Sequence, residues 1–170
     1  MSKGLPEFIY PLRFACSGRF LQGRVPVDEM PRLAAGLYDW GGHVAVNLQF
    51  GREEEGRLCV RGVVEAELRL ECQRCLEPFV FSATSDVRLG LIRSEESAAD
   101  LPPECEPLLV EEEPISLFAM VEDELILALP IVPMHPRDVC SATVYGVPSK
   151  PFSEPQNNPF AVLLSTNHRS

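Results

Sequence analysis

His43-Val-Ala-Val-Asn-Leu-Gln-Phe50 and, beyond a turn-forming stretch from Gly51 to Gly56, Val64-Glu-Ala-Glu-Leu-Arg-Leu-Glu-Cys72 decide the fold. Every second position is apolar in both: Val44, Val46, Leu48 and Phe50, then Val64, Ala66, Leu68, Leu70 and Cys72. Successive side chains of a strand point to opposite faces, so this period means one dry face and one wet face. A third run repeats it, with Phe79, Phe81, Val87, Leu89 and Leu91 on one parity and Thr84, Asp86 and Arg88 on the other. Three such strands predict an antiparallel β meander.

The element that packs this sheet lies further on. Ser116 can cap a helix in which Phe118, Val121, Leu125 and Ala128 follow the helical period, and Pro130 stops it after Leu129. Its end, Leu125 to Leu129, is nearly all apolar and is expected against the sheet, whereas Glu122, Asp123 and Glu124 cannot all point inward. Upstream, Asp28 to Leu37 reads as a short helix with Asp28 as cap and Pro31 in its first turn. The expectation is a single α+β domain over residues 1–147, with one main helix on the meander. Residues 148–170 read as an extended Pro-rich tail carrying Pro148, Pro151, Pro155 and Pro159. Asn158-Pro159-Phe160-Ala161-Val162-Leu163-Leu164 interrupts that tail as a short docking motif, with an N-cap, a proline at the first helical position and large apolar residues.

At 170 residues, 45% hydrophobic and 24% charged, the chain has the composition of one globular domain that needs neither metal nor disulfides to fold. No stretch approaches the roughly 18 to 20 uninterrupted apolar residues of a membrane span. The opening Met1-Ser2-Lys3-Gly4 leads into Pro6, Glu7, Pro11 and Arg13 rather than the apolar core of a signal peptide, so the expected location is the cytoplasm. The formal charge is −10, and it is concentrated: residues 95–124 hold 11 acidic residues and no basic one. Such polarity disfavours nucleic acid over that stretch and suits a cationic partner there.

In a reducing compartment, closely spaced cysteines are metal ligands or redox groups before they are bridges. Cys72-Gln73-Arg74-Cys75 falls at the turn between the second and third strands, where two thiolates can converge on one ion. His135-Pro136-Arg137-Asp138-Val139-Cys140 supplies a second pair, in a loop that Pro130, Pro133 and Pro136 hold out of regular structure. Cys72, Cys75, His135 and Cys140 together make a Cys3His set that suits zinc, with no open position and hence a structural role. The two pairs are separated by residues 76–134, far more than in a compact zinc ribbon, so the fold must bring the loops together. Dithiol redox chemistry and plain buried thiols stay open as readings of the CxxC; the meander lacks the helix N-terminus that redox use favours. Cys16, Cys59 and Cys105 have no partner nearby in sequence and read as core or surface residues.

Two further constellations bear on function. Glu111, Glu112 and Glu113, with Glu122, Asp123 and Glu124, could hold Mg2+ for phosphodiester chemistry, though charge runs of this kind are more often solvated. Eleven of the 12 basic residues in the first 94 are Arg, whose forked guanidinium matches phosphate. Arg61 and Arg69 have Glu65, Glu67 and Glu71 as candidate cross-strand partners. Arg13, Arg19 and Arg24 have fewer acidic neighbours and are the better RNA-binding candidates.

Three segments carry a resemblance: Leu70-Glu-Cys-Gln-Arg-Cys-Leu-Glu-Pro-Phe79; Leu117-Phe-Ala-Met-Val-Glu-Asp-Glu-Leu-Ile-Leu-Ala-Leu-Pro-Ile-Val-Pro133 with His135 and Cys140 beyond; and the stretch from Asn158 to Leu163. From about Val25 to Leu164 the chain resembles the bacterial YceD family, the large ribosomal RNA subunit accumulation proteins. The resemblance implies a role in making or accumulating 23S ribosomal RNA and the large ribosomal subunit, and it supplies no catalytic mechanism. The expected function is a non-enzymatic ribosome-biogenesis factor. Its direct partner is ribosomal RNA precursor, through Arg13, Arg19 and Arg24, or a basic large-subunit ribosomal protein. That protein would meet Glu111, Glu112 and Glu113, and the tail residues Asn158, Pro159 and Phe160 would engage a partner. The competing class is an enzyme of ribosomal RNA maturation, either a metal-dependent ribonuclease or a thiol oxidoreductase.

Overall fold

The computed structural model describes residues 4–53 and 56–141. In chain order the elements are β1 (Phe8–Ile9), α1 (Pro11–Cys16), β2 (Phe20–Pro26), a 3-10 turn (Val27–Glu29), α2 (Pro31–Ala34), β3 (His43–Arg52), β4 (Leu58–Glu71), β5 (Pro78–Ile92), a second 3-10 segment (Glu95–Asp100), β6 (Glu106–Leu109), β7 (Ile115–Ser116) and α3 (Leu117–Ala128). The α+β class and the antiparallel, strand-rich sheet agree with the sequence. The tail from residue 148 and the docking motif over 158–164 lie outside the described residues.

The meander is the middle of a larger sheet. Five strands run in the order β2-β3-β4-β5-β6; the first four are antiparallel and β6 joins β5 in parallel. The register aligns the apolar parities: Val44 faces Ala66, Val46 faces Val64, Ala66 faces Ala83 and Leu68 faces Phe81. These side chains form one dry face that also carries Phe50, completely buried and met edge-on by Phe14 at 5.5 Å. β2 escapes a periodicity reading because Gly23 interrupts its inward side between Leu21 and Val25. Leu5 covers that glycine so closely that a Cβ there would sit 2.8 Å from Leu5 Cγ. In β4, Gly62 is required by close approach: a Cβ would lie 1.9 Å from the Asn47 carbonyl oxygen of β3.

Helix α3 packs on β4 and β5, and its cap is the expected one, with Ala119 N–H donating to Ser116 Oγ at 3.1 Å. Leu117, Met120, Val121 and Leu125 are buried. The end of the helix departs from expectation: Leu127 is 73% exposed, since only one side of the last turn is buried. The helix expected from Asp28 to Leu37 is shorter, a 3-10 turn and then the single turn of α2, with no side-chain cap of its own.

Glu122 performs that task from α3. Only 3% exposed, it accepts from the backbone N–H of Arg32 (2.6 Å) and Leu33 (2.9 Å) and from Arg32 Nε (2.9 Å). The start of α2 thereby has its orphan donors satisfied by a carboxylate some 90 positions away in sequence. Asp123 takes the other side of the Arg32 guanidinium at 2.6 Å, and Glu124 accepts from Ser85 Oγ at 2.8 Å. The acidic triplet is therefore partly structural rather than a solvated face. The other arginines also choose different partners from those the sequence suggests, Arg61 pairing with Glu53 and Arg69 with Asp39.

Candidate metal centre

Cys72 keeps the inward parity of β4, and its side chain is completely buried at the tip of the β4–β5 hairpin. The tip turns back through Leu76, whose N–H donates to the Cys72 carbonyl at 2.8 Å and whose φ is +63°. A left-handed conformation costs a leucine roughly 1 to 2 kcal/mol, and here it sits beside the candidate ligands. Cys75 lies three residues after Cys72 on the same turn.

The second pair arrives from the loop after α3. Gln73 N–H donates to the Pro133 carbonyl at 2.9 Å, and His135 N–H donates to Cys72 Sγ at 3.3 Å, tying loop to hairpin tip through backbone. Cys75 Sγ lies 3.2 Å from His135 Nδ1, and Cys72 Sγ lies 4.0 Å from Cys140 Sγ. One ligand atom from each of the four residues falls within 4.8 Å of the others, the one such cluster among the described residues. A tetrahedral zinc with Zn–S bonds of about 2.3 Å has ligand-to-ligand edges of roughly 3.8 Å, so the donor set and its spacing fit that ion.

Electrostatics favour thiolate at this position. Burial pushes the Cys72 thiol up, but N–H groups of His135, Cys75 and Arg74 aimed at the sulfur, with the His135 side chain, outweigh it and lower its pKa to about 5. Thiolate is the form that binds metal. The His135 ring packs against Phe79, with centroids 5.0 Å apart and planes tilted by 43°. The structure thus brings the four predicted ligands together across a sequence separation of 60 positions, and a cluster with four protein donors leaves a bound ion no open position.

The remaining predicted residues are distributed. Arg13 sits on α1 with its guanidinium 4.8 Å from the Tyr10 ring centre, and it lines a cleft of about 160 Å³ with Arg93, Glu111 and Glu112. Arg19 stacks over Phe14 at 4.7 Å in the turn before β2. Arg24 projects from β2 into a different, open cleft that it shares with Glu65 and Glu67. Glu113 is exposed beside Glu111 and Glu112, so the RNA candidate Arg13 and the partner candidates Glu111 and Glu112 share one cleft. Asn158, Pro159 and Phe160 lie outside the described residues.

The sequence offers Glu122 only as a candidate Mg2+ carboxylate and does not pair it with Arg32, since that pairing needs the tertiary fold, and the strand parity marks Phe79 only as a core residue. The sequence also leaves Cys59 and Cys105 isolated. In the fold each is buried, and burial raises both thiols, as does the nearby Glu53 carboxylate.

Comparison with known proteins follows the same residues. The family described as large ribosomal RNA subunit accumulation protein YceD matches residues 60–165, which include all four clustered ligands. The chain belongs to the YceD family. A curated Haemophilus influenzae protein named large ribosomal RNA subunit accumulation protein YceD is 33% identical over 171 residues, covering 97% of each chain. No solved structure matches this YceD-family chain. Among the described residues, no helix is long and apolar enough to cross a membrane.

Proposed function

We propose that this chain supports accumulation of 23S ribosomal RNA, and with it the large ribosomal subunit, as a non-enzymatic binding factor in the cytoplasm. Its name-bearing relative, 33% identical along nearly the whole length, supports that biological role. The observation that carries the molecular part is the Cys3His cluster, four donors within 4.8 Å at the junction of hairpin tip and post-helix loop. Zn2+ held by Cys72, Cys75, His135 and Cys140 acts as a structural clasp, because a closed four-ligand set offers no site for an activated water. The clasp presents the surface around it in one conformation for a ribosomal precursor.

Depletion of the chain in its own cells tests this reading, with the ratio of 23S to 16S ribosomal RNA as readout. The ratio falls on depletion, is restored by the wild-type chain, and is not restored by a Cys72→Ser, Cys75→Ser double variant; an unchanged ratio on depletion refutes the role. Native mass spectrometry of chain purified without chelator finds one zinc. Turnover of precursor RNA by the purified chain would instead establish the ribonuclease class.

A second contact is favoured by charge. Glu95, Glu96, Asp100, Glu104, Glu106 and Glu111 to Glu113 are exposed, an anionic surface suited to a basic large-subunit ribosomal protein. Exchange of Glu111, Glu112 and Glu113 for Gln weakens that association if this contact exists and leaves it unchanged if it does not.

A further inference from the structure

Five clefts of the described surface differ in charge. Four contain carboxylates: Glu65 and Glu67 in one, Glu111 and Glu112 in another, Glu53 and Glu104 in a third, Asp86 and Glu104 in a fourth. The fifth, of about 400 Å³, opens beside the clasp and has none. Its walls include Phe79, Phe81, Val132 and Met134, and its permanent charges are Arg74 and Arg137. In a chain of net charge −10, a cleft that is apolar and solely cationic is an exception to the surrounding surface.

Among the described residues, Arg74 has no anionic partner there. Its NH2 reaches only the Met134 sulfur, at 3.5 Å, and its NH1 is buried with no hydrogen-bond partner among the described residues. A thioether is a weak acceptor, and a buried guanidinium donor left unmatched is a cost that an incoming anion removes. The matching ligand carries an anion that a guanidinium fork can grip and, next to it, a flat apolar group that aromatic walls can cover. A nucleotide with an unstacked base has both, whereas duplex RNA hides its bases and presents only the backbone.

We propose that this cleft binds an unpaired nucleotide of single-stranded RNA, with Arg74 and Arg137 on phosphate and the base against Phe79 and Phe81. That the RNA is a ribosomal precursor rests on the functional reading above; the cleft's chemistry does not. The clasp then has a direct use, since it fixes both arginines: Arg74 lies between two of its ligands and Arg137 between the other two. A basic protein is disfavoured by the same charges, and an acidic peptide is the rival that the test must separate.

The test is fluorescence anisotropy of a labelled, unstructured RNA octamer against the full zinc-loaded chain, beside a duplex of the same sequence and an acidic peptide. The octamer binds about tenfold or more tightly than the duplex, and its affinity falls as salt rises. Arg137→Gln and Val132→Glu, both at exposed positions, lower octamer affinity by about tenfold or more while zinc content and melting temperature stay at wild-type values. The proposal is overturned if the octamer does not bind, if it binds no better than duplex, or if only the peptide binds. Binding that ignores both substitutions but is lost with Arg13, Arg19 and Arg24 changed to Gln also overturns it and moves the RNA elsewhere. A chain that rescues 23S levels yet binds no octamer removes the cleft and leaves the functional role; one that binds the octamer while depletion leaves 23S unchanged does the reverse.

Discussion

The zinc proposed for the Cys3His cluster is tested most directly by its removal. Cys75 and His135 are 60 positions apart, so the unfolded chain holds no preformed site that joins them, and the free energy of zinc binding to the folded chain adds directly to folding stability. Free zinc at about 1,000 times its dissociation constant stabilises the folded chain by about 4 kcal/mol at 25 °C. Urea unfolding of the full chain, with zinc and with chelator, should therefore show a loss of about 4 kcal/mol, a large part of the stability of a domain this size. The metal-free chain should also carry a pH signature. Because the folded Cys72 pKa of about 5 is depressed below the ordinary 9.0, its contribution is complete above pH 9 and is lost as pH falls through about 5. Stability of the chelated chain thus declines on acidification across that window, and Cys72→Ser removes the decline. A chelator effect below about 1 kcal/mol, or a Cys72→Ser chain that keeps the full slope, refutes the clasp.

Three other outcomes follow from packing and charge. Glu122→Ala leaves the first N–H groups of α2 and Arg32 Nε without their acceptor, while Asp123 keeps the other side of the guanidinium, and should cost about 1 to 3 kcal/mol by chemical denaturation, with Glu122→Gln costing less because it keeps an acceptor. Burial raises the Glu124 carboxyl pKa, against a smaller lowering from Ser85, so ionisation at neutral pH opposes folding. Glu124→Gln should raise the melting temperature at pH 7, and the gain should disappear as pH falls below the ordinary carboxyl value of 4.5, where both states are protonated. Leu125→Ala, at a fully buried site, should cost about 2 to 5 kcal/mol, whereas Leu127→Ala, two residues on and 73% exposed, should stay within about 0.5 kcal/mol. Equal effects at the two positions would contradict the helix orientation.

Strand parity was legible because it is local: Val44 to Phe50 and Val64 to Cys72 state their period within a few residues, and the same parity carries Cys72 inward. The cap at Ser116 and the stop at Pro130 are likewise written in neighbouring residues. β2 was not legible, since Gly23 breaks its alternation and the residue that fills the gap, Leu5, is remote from any strand pattern. Nor was β6, four residues long and interrupted by Pro107.

By itself the sequence determined the α+β class, the dry face of the central strands and the N-cap of α3, and it singled out the four candidate ligands, all of which depend on residue type and short-range spacing. Tertiary structure alone decided that those ligands lie within 4.8 Å of each other, that Glu122 turns inward to cap α2, and that Arg74 faces an apolar cleft free of carboxylates. The physical reason is range. Periodicity and capping act over one or two turns of chain, whereas thiolate, carboxylate and guanidinium groups take whichever partner the packed sheet and helix bring within a few ångströms, at any distance in sequence.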